Sequence, residues 1–287
     1  MKLSVIILTY NSSGFIDILL SVLISKYKDK IQQKEMEIIV ADNASIDETV
    51  KLARKHKEVY ILENGGNVGF AKGLNNASKK AKGEILLFIN PDAKLLYGDL
   101  FSFISKFEDP KLGVLGGEIQ TYTHKKEPSC GKVYNAVNVF LLAIGLEEST
   151  GIRFSPEKDQ EVDMVSGAFF AIRKSLFDDL HGFDEHFFMY IEDAELCLRV
   201  KKKGYRVEFS NKAAIQHMGQ GSSNRTFAIV NIYKGLLYFH EKHMSNFSYV
   251  FVLFVLRLKA WILVLLGKIS HNEYLVHTYA EALKSIS

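Results

Sequence analysis

Two stretches of the sequence place acidic side chains directly after apolar residues, where they could bind a cation or move a proton. Asp92 follows the apolar run ILLFI and the pair Asn90-Pro91, and Glu192 and Asp193 follow the aromatic-rich run FFMYI. Carboxylate oxygens are the ligands that Mg²⁺ prefers in proteins. Burial and a neighbouring like charge both raise the pKa of a carboxyl group toward the range useful for a general base. These acids are therefore candidates for cation binding and for proton transfer.

Each candidate also has a purely structural explanation. Pro91 and Asp92 suit a turn, which on its own explains Asp92 better than a metal site does. Adjacent acids at a helix start interact favourably with the helix dipole. His217 ends the stretch AAIQH before the glycine-containing MGQGSS, but a lone histidine is more often structural than a ligand. Asp42, in VADNAS, suits a helix cap or a turn equally well.

Alternating strands and helices must position these residues. Four apolar stretches predict strands, namely KLSVIILTYN, MEIIVADN, VYILEN and EILLFIN, and amphipathic stretches between them predict helices. Ser45 is predicted to cap the helix in SIDETVKLARKH, with Glu48 completing a capping box, and Gly83 to close the helix after NVGF. Apolar strands separated by helices predict an α/β fold with a Rossmann-like, mostly parallel sheet covered by helices on both faces.

Polar residues follow all four of these predicted strands. In parallel sheets, ligands bind beyond the carboxyl ends of the strands, which meet at one edge of the sheet. We therefore expect the following residues to converge on one site: Asn11, Asp42, Asn43, Asn64, Asn90 and Asp92.

The second half of the chain has mixed patterning and then becomes helical. GAFFAIRKSLFDDLHGFD predicts a strand, a helix and a turn, EDAELCLRVKKKG a helix, and YRVEFSNKAAIQH one or two short strands. From residue 226 onward the sequence is helical and very apolar. The whole chain contains only four prolines, and no repeat or linker is visible, so the parts are predicted to pack together.

Composition excludes several classes of function. The 36 basic and 33 acidic residues nearly balance, without a basic stripe, which argues against nucleic acid as the main partner. The two cysteines are far apart, which fits a reducing cytoplasm better than a disulfide scaffold. The glycine-rich GGNVGFAKG has neither the dinucleotide-binding pattern nor the end of a P-loop.

Eight motifs in chain order resemble the family-2 inverting glycosyltransferases of the GT-A fold. Within that family they look most like the rhamnosyltransferase-type enzymes of bacterial surface polysaccharides. The resemblance covers about residues 3 to 245, and its strength lies in the order of the motifs rather than in any one of them. The motifs are TYN, ADNASID, NVGFAKGLNNA, NPDA, GAFFAIRKSLF, GFDEHFFMYIEDAELCLR, GYRV and HMGQGSS.

The resemblance implies a divalent cation, Mg²⁺ or Mn²⁺, that neutralises the diphosphate leaving group. The family usually holds it with a D-x-D motif, whose first acid is replaced here by Asn90. Asp92 then remains as the expected metal ligand, and His217 matches the family's later metal-binding histidine. Asn90 is expected to bond ribose or to hold the loop.

The resemblance also implies the donor site and the base. Asp193 matches the general base that takes the proton from the acceptor hydroxyl, and Glu192 is expected to orient the loop or the acceptor. Asp42 matches the acid that accepts N3–H of uracil or thymine. Gly167 and Ala168 match a small-residue strand under the sugar. The other residues expected to bind the nucleotide sugar are Thr9, Tyr10, Asn11, Asn67 and Lys72, although Lys72 could instead be a solvated helix residue.

The apolar stretch at residues 247 to 268 predicts attachment to a membrane surface. Arg257 and Lys259 interrupt it, and each costs about 2.5–3.5 kcal/mol at the centre of a membrane-spanning helix. An interfacial helix or a hairpin dipping into one leaflet therefore fits better than a span, with Trp261 near the headgroups. A homodimer interface is the alternative.

These inferences divide the chain into three parts: a nucleotide-sugar-binding part (1–115), an acceptor-binding and catalytic part of the same domain (116–225) and a membrane-associating helical segment (226–287). The expected enzyme transfers L-rhamnose from dTDP-L-rhamnose to a saccharide or lipid-linked saccharide at the cytoplasmic face of the inner membrane. The alternatives are a UDP-hexose-dependent enzyme, a sugar-phosphate nucleotidyltransferase and an inactive, membrane-attached nucleotide-sugar-binding module. The nucleotidyltransferase would need a glycine-rich, basic loop where this chain has TYNSSG.

Overall fold

A computed structural model describes residues 1–217 and 224–287 and contains twelve strands within those ranges. The first four are the apolar strands predicted from the sequence, and the fifth comes directly after them. Four of the later strands are only two residues long. Their bounds are β1 (Leu3–Thr9), β2 (Met36–Asp42), β3 (Val59–Glu63), β4 (Ile85–Ile89), β5 (Ala93–Gly98), β6 (Leu112–Thr121), β7 (Cys130–Gly131), β8 (Arg153–Phe154), β9 (Gln160–Glu161), β10 (Met164–Val165), β11 (Phe169–Arg173) and β12 (Arg206–His217).

Helices connect the strands and form the C-terminal end of the chain. A short 3₁₀ helix (Ser105–Glu108) directly follows the fifth α-helix. Their bounds are α1 (Ile16–Lys26), α2 (Lys28–Gln32), α3 (Thr49–Ala53), α4 (Phe70–Ser78), α5 (Leu100–Ile104), α6 (Ala136–Ala143), α7 (Lys174–Asp179), α8 (Glu192–Lys202), α9 (Arg225–His243), α10 (Asn246–Ile269) and α11 (Glu273–Ser285).

One large sheet carries the strands in the order β3-β2-β1-β4-β11-β6-β12-β5, with β9 paired to β12. The four N-terminal strands are parallel to one another, which confirms the prediction for the first third of the chain. Beyond β4 the sheet is mixed, because β11 runs antiparallel to both of its neighbours and β5 runs antiparallel to β12. A second sheet of three short strands has the order β10-β7-β8.

Apolar side chains fill both faces of the large sheet. Alternate residues of β1 point to opposite faces, so Val5 and Ile7 lie in one core and Ile6 in the other. The first core is covered by α1 and α5, and the second by α4, α8 and the C-terminal helices. A sheet buried on both faces explains why its strands are apolar throughout, as predicted.

Local details differ from the sequence-based expectations at four places. The α3 helix begins at Thr49, and Ser45 does not cap it, because the Ser45 Oγ accepts the Asn11 N–H instead and donates to Asp42. The helix after NVGF ends at Ser78 rather than at Gly83. Strand β5 was not predicted, and β12 is a single strand of 12 residues with irregular pairing, longer than the one or two short strands that were expected.

The first of the C-terminal helices is tied to α8 by a cluster of buried charges. Glu195 of α8 is fully buried and accepts hydrogen bonds from Lys242 and His243 of α9 and from Arg199. Burial alone would raise the pKa of Glu195, but these bonds lower it to about 2. Charges buried in this way are stabilising only while they remain paired. The cluster therefore fixes α8 against α9.

The α10 helix presents a broad apolar face to solvent. It is the one helix within residues 1–217 and 224–287 that is long and apolar enough to cross a membrane, and only 28% of its most apolar window is buried. Val252, Leu256 and Ala260 pack into the core. The opposite face is exposed and consists of Phe247, Val250, Phe254, Leu258, Trp261, Ile262, Leu265, Leu266 and Ile269.

Candidate active site

The Asp92 corner is built by backbone hydrogen bonds at the end of β4. The Asn90 N–H donates to the Ala168 carbonyl at 3.2 Å, and the Ala93 N–H donates to the Asn90 carbonyl at 3.1 Å. These bonds turn the chain into β5 and leave the Asp92 side chain buried. One Asp92 oxygen, Oδ2, is buried without a hydrogen-bond partner. An orphaned carboxylate oxygen of this kind is costly and marks a place for a cation or another ligand.

Strand pairing brings His217 to this corner. In the register of β12 with β5, His217 lies opposite Ala93, the residue after Asp92. Its Nε2 is 3.4 Å from Asp92 Oδ1 and 3.2 Å from the side-chain amide of Asn90. The two residues expected to bind the metal are thus neighbours, although 125 positions separate them in the sequence.

Glu127 lies on the other side of the His217 ring. Its Oε2 is 3.5 Å from Nδ1. Burial lowers the pKa of His217, but the interactions with Asp92 and Glu127 outweigh burial and raise it to about 10. Carboxylates beside the second ring nitrogen commonly orient metal-binding histidines. Glu127 was not predicted from the sequence, where it lies in a polar loop without a pattern.

Asp42 lies at the end of β2 with its carboxylate almost saturated. Its Oδ1 accepts hydrogen bonds from the hydroxyls of Thr9 (2.8 Å) and Ser45 (2.6 Å), and its Oδ2 accepts the Ser45 N–H at 2.8 Å. The side chain is buried. A carboxylate offers about four acceptor positions. One position on Oδ2 therefore remains for the base N–H that the resemblance assigns to it.

The other residues expected around the nucleotide lie near Asp42 but make different contacts. Asn11 accepts the Ile46 N–H through its side chain and adopts a left-handed backbone. Tyr10 is half-buried beside it. Asn67 accepts hydrogen bonds from the Asn43 side chain and the Gly69 N–H, so it shapes the loop before α4. Lys72 is exposed, with Glu185 at 3.9 Å.

Glu192 and Asp193 open α8 and have different surroundings. Asp193 Oδ2 accepts the Gly167 N–H at 2.9 Å, and its Oδ1 accepts the Ala194 N–H at 2.8 Å. Glu192 is buried, and its Oε2 has no hydrogen-bond partner. Two consecutive left-handed residues, Tyr190 and Ile191, turn the chain sharply into this helix.

These surroundings affect the pKa values of the two acids differently. Burial raises the pKa of Glu192 well above its ordinary value, and the neighbouring charge of Asp193 raises it further. Burial also raises the pKa of Asp193, but the two N–H donors oppose that effect. Glu192 therefore keeps its proton to a higher pH than an exposed glutamate, while Asp193 is the member of the pair held ready to accept one.

Gly167 lies directly beside Asp193, where space is limited. A Cβ atom at Gly167 would lie 3.4 Å from the Phe70 ring and 3.6 Å from Asp193 Oδ2. A larger side chain would therefore enter the space between the Phe70 ring and the carboxylate. Ala168 is buried and holds the Asp92 corner through its carbonyl group. Both small residues thus lie between the two acidic groups of the site.

Asp193 also lines a recess with a volume of about 60 Å³. It is lined in part by Ser129, Tyr134, Arg153 and Ser166. The three-stranded sheet builds it, since Arg153 lies on β8 and Ser129 precedes β7. None of these residues was predicted as functional, because two-residue strands leave no periodic signal in the sequence.

Comparison with known proteins identifies the family of this chain. The sequence model of Glycosyl transferase family 2 matches residues 4–181, and that of Glycosyl transferase family group 2 matches residues 130–285. Rhamnosyltransferase WbbL of Escherichia coli (strain K12) is 27% identical over 190 residues, which are 60% of this chain and 69% of that protein. The N-acetylglucosaminyl-diphospho-decaprenol L-rhamnosyltransferase of Mycobacterium tuberculosis (strain ATCC 25618 / H37Rv) is 24% identical over 67% of this chain and 70% of its own.

Solved structures share the fold at low sequence identity. TarS 1-349 of S. aureus in complex with UDP aligns with a TM-score of 0.57 and 17% identity, over 100% of this chain and 89% of its own. The mannosyltransferase PcManGT of Pyrobaculum calidifontis in complex with GDP-Man and Mn²⁺ aligns with a TM-score of 0.58 and 17% identity, over 99% and 85%. Since the family match extends over more than half of its length, the chain belongs to glycosyltransferase family 2 and is a glycosyltransferase with the GT-A fold.

Proposed function

We propose that the enzyme transfers L-rhamnose, with inversion, from dTDP-L-rhamnose to a saccharide or lipid-linked saccharide during synthesis of a bacterial surface polysaccharide. The similarity to two rhamnosyltransferases carries the choice of sugar. A UDP-linked hexose is the second candidate donor, because a hexosyltransferase, Agl10 of Haloferax volcanii, is also 22% identical, and the structural relative TarS is in complex with UDP.

A divalent cation fits the Asp92 corner. The donor set of one carboxylate and one imidazole suits Mn²⁺, and Asp92 Oδ2 is buried without a partner. In the part of the chain that the structure describes, no group of three or more acidic, cysteine or histidine side chains forms a complete metal site. Asp92 and His217 would therefore hold the cation together with the donor diphosphate. When bound, the cation would neutralise charge on the departing diphosphate.

The proton is moved by Asp193 in this proposal. Its two N–H donors fix the carboxylate orientation and leave acceptor positions free for the acceptor hydroxyl. As that oxygen attacks the anomeric carbon from the face opposite the diphosphate, Asp193 takes its proton. Glu192, which retains its own proton to higher pH, does not compete as a base. General base catalysis of this kind contributes ~10²–10⁴-fold in rate.

The base of the nucleotide is proposed to meet Asp42 through the free position on Oδ2. An acceptor at this place selects N3–H of thymine or uracil, which cytosine does not offer. Thr9 and Ser45 hold the carboxylate in place. Asn11, Tyr10, Asn67 and Lys72 would surround the nucleotide from the adjacent loops.

The exposed face of α10 supports attachment to a membrane surface at the cytoplasmic side of the inner membrane. This face carries nine large apolar side chains, and Arg257 and Lys268 are exposed at its edges. Apolar residues flanked by basic ones suit the interface of an anionic bilayer. Attachment there would bring the enzyme to a lipid-linked acceptor. A homodimer through the same face is the competing explanation.

Turnover of defined donors tests the chemical part of the proposal. Release of nucleoside diphosphate is measured with dTDP-L-rhamnose and with UDP-hexoses, with Mn²⁺ or EDTA, and N-acetylglucosaminyl diphosphate carrying an undecyl chain serves as the acceptor probe. We expect dTDP-L-rhamnose to be turned over fastest. We also expect the anomeric configuration of the transferred sugar to be inverted in the product, as measured by NMR. Faster use of a UDP-hexose would replace the donor assignment.

Flotation with anionic vesicles tests the membrane part. Because Val252 and Leu256 belong to the core, truncation of α10 would damage the fold, and surface changes are the sharper tool. We expect the triple variant Phe254→Ser, Trp261→Ser, Leu265→Ser to lose vesicle binding. The control is Ile46→Ser, which changes an even more exposed apolar residue on the loop before α3. If the triple variant floats like the control but dissociates from a dimer in size-exclusion chromatography, the face is a dimer interface.

A further inference from the structure

His217 meets polar groups on both sides of its ring. Its Nε2 lies 3.4 Å from Asp92 Oδ1 and 3.2 Å from the side-chain amide nitrogen of Asn90, and its Nδ1 lies 3.5 Å from Glu127 Oε2. A histidine that binds a cation is a neutral imidazole, in which one nitrogen carries the proton and the other offers a lone pair. Since the candidate cation site lies on the Asp92 side, the proton must lie on Nδ1, the side of Glu127.

Glu127 and Nδ1 of His217 each lack another partner in the described part of the chain. Nδ1 is buried there without a formed hydrogen bond, because 3.5 Å is long for one. The Glu127 carboxylate makes no hydrogen bond or ion pair elsewhere within residues 1–217 and 224–287. A buried polar atom without a partner is costly. A small rotation of either side chain would close the gap and remove that cost, so the two groups suit each other.

The backbone holds Glu127 in this place. After β6 the chain turns sharply, with the Thr121 N–H donating to the Lys125 carbonyl at 2.8 Å. It then returns beside β6, so that the Glu127 N–H donates to the Ile119 carbonyl at 2.9 Å. Thr121 pairs with His217 where β6 runs beside β12. The turn therefore brings Glu127 next to the end of β12.

The lysine beside Glu127 in the sequence is paired with other acids. Lys126 Nζ lies 2.7 Å from the carboxylate of Glu157 and 3.3 Å from that of Glu118. Lys126 therefore does not neutralise Glu127, whose one ion-pair contact among the described residues is with His217. The imidazole thus lies between two carboxylates, with Asp92 at Nε2 and Glu127 at Nδ1.

We propose that Glu127 is a positioning residue of the candidate cation site: its carboxylate accepts the Nδ1–H of His217 and holds the ring with the Nε2 lone pair facing the cation beside Asp92. Glu127 is not itself a ligand, because the described residues contain no group of three acidic, cysteine or histidine side chains that could hold a metal ion. This inference rests on the proposed function, which supplies the cation. It goes further by giving Glu127 a share in the strength and selectivity of cation binding.

The selectivity follows from the chemistry of the nitrogen ligand. A carboxylate that accepts the other ring N–H fixes the orientation of a metal-binding histidine and makes it a stronger ligand. Mg²⁺ prefers oxygen ligands, whereas imidazole nitrogen suits transition metals. Loss of Glu127 should therefore weaken the binding of Mn²⁺ more than that of Mg²⁺. General damage to the loop would instead weaken the binding of both cations equally.

Mn²⁺ binding to the full chain in the presence of dTDP tests the proposal without requiring turnover. Electron paramagnetic resonance gives the Kd of Mn²⁺, competition by Mg²⁺ gives the Kd of Mg²⁺, and spin-echo spectra detect the nitrogen of a coordinated imidazole. We expect Glu127→Ala to weaken Mn²⁺ binding by about 10- to 100-fold, the usual loss for the partner of a metal-binding histidine. The Mn²⁺ that still binds should show a reduced nitrogen signal.

Two further variants sharpen this assignment. Glu127→Gln should lose less affinity than Glu127→Ala, because its amide oxygen can still accept the Nδ1–H. Glu157→Ala is the matched control, since it removes an acid of the same charge that contacts Lys126 rather than His217. It should keep the Mn²⁺ affinity, the nitrogen signal and the preference for Mn²⁺ over Mg²⁺.

Two results would overturn the proposal and leave the proposed function intact. They are an unchanged Mn²⁺ affinity in Glu127→Ala, and equal losses of Mn²⁺ and Mg²⁺ affinity with an unchanged nitrogen signal. Failure of the proposed function looks different and would overturn both, because the unmodified enzyme then binds dTDP no better with Mn²⁺ than with EDTA. Glu127→Asp, which draws the carboxylate back by one carbon, serves as the test variant if the melting curve of Glu127→Ala reveals an unfolded protein.

Discussion

The carboxylates at the ends of two strands, Asp42 on β2 and Asp92 after β4, are equally buried but differently occupied. Asp42 accepts three hydrogen bonds from Thr9 and Ser45. Asp92 has one long contact with His217 and one oxygen without any partner. Glu192, next to the proposed base, likewise has one buried oxygen without a hydrogen-bond partner.

The difference separates two ways of building a site on one sheet edge. A carboxylate that the protein itself satisfies is rigid before any ligand arrives, and it can select by the one acceptor position that remains. A buried carboxylate that lacks partners carries a desolvation cost until a ligand removes it. In the proposed function, the nucleotide end of the site around Asp42 is therefore preformed, and the end around Asp92 and Glu192 is the part that ligands complete. Variants at each carboxylate test this contrast.

The largest effect is expected at Asp193. Changing Asp193→Asn should lower transfer by about 10²-fold or more, roughly the contribution of a general base, while donor binding is kept. Glu192→Gln should cost less, since Glu192 already holds its proton. Kinetics of transfer and calorimetry of dTDP binding measure both effects. Near-normal transfer by Asp193→Asn with a dead Glu192→Gln would reverse the two roles.

A smaller but clear effect is expected at the metal corner. Asp92→Ala should weaken Mn²⁺-dependent dTDP binding by more than about tenfold, as losses around metal sites commonly do, and His217→Ala should weaken it less. Binding is measured by calorimetry with Mn²⁺ and with EDTA, so the readout does not depend on catalysis. If EDTA leaves both binding and turnover of the unmodified enzyme intact, the corner does not hold a functional cation.

At Asp42 the expected effect falls on selectivity and stability together. Asp42→Ala should reduce the preference for dTDP and UDP over CDP, GDP and ADP. It should also cost about 1–3 kcal/mol of stability, because the buried donors of Thr9 and Ser45 lose their acceptor. Thermal shift with the five nucleotides and urea unfolding provide the two readouts.

Asp47 supplies the control for this experiment. Its carboxylate accepts hydrogen bonds from the Ser13 and Thr49 N–H groups in the neighbouring loop. Burial raises its pKa, but these bonds lower it to about 2, so it is a structural carboxylate like Asp42. Asp47→Ala should lower stability and keep the nucleotide preference. Loss of the preference in both variants would mean that loop folding, rather than Asp42, determines it.

The smallest effect is expected in the pH dependence of stability at Glu192. Its pKa is raised in the folded protein, so the folded state binds this proton more tightly than the unfolded state does. The stability of the unmodified enzyme should therefore fall as pH rises from about 4.5, the ordinary glutamate value, to the folded pKa. Glu192→Gln cannot titrate and should show a flatter profile in urea unfolding at pH 4.5 to 8. Parallel profiles would contradict the burial of a protonated Glu192.

The parallel half of the sheet and its polar edge were predictable because their signals are local. Each strand is a continuous apolar run, and each polar residue directly follows one. Strand β5 carried no such signal: it is a partly exposed edge strand, and its partner β12 lies more than a hundred positions away. The pairing of Asp92 with His217 could be expected only through the family resemblance.

Ser45 shows how tertiary structure overrides a good local pattern. Its spacing to Glu48 fits a capping box, but its hydroxyl oxygen accepts the Asn11 N–H and its hydroxyl proton goes to Asp42, so it does not cap the helix. Arg153 and Glu127 are residues at the site for which the sequence contains no local pattern at all. They lie in stretches without periodicity, and only the pairing of two-residue strands or the fold of a loop brings them to the site. Long-range packing places such residues, and a single sequence does not record it.

The buried cluster around Glu195 has a consequence for how the molecule opens. Glu195 lies two residues after Asp193 on α8, and its partners Lys242 and His243 lie at the end of α9. Neither helix can leave the other without exposing unpaired charges to an apolar interior. Amide hydrogens of α8 and α9 should therefore exchange with deuterium as one cooperative unit, although strand β12 separates the two helices in the sequence. Whatever holds the C-terminal helices still, a membrane or a second subunit, would then also steady the helix that carries the proposed base.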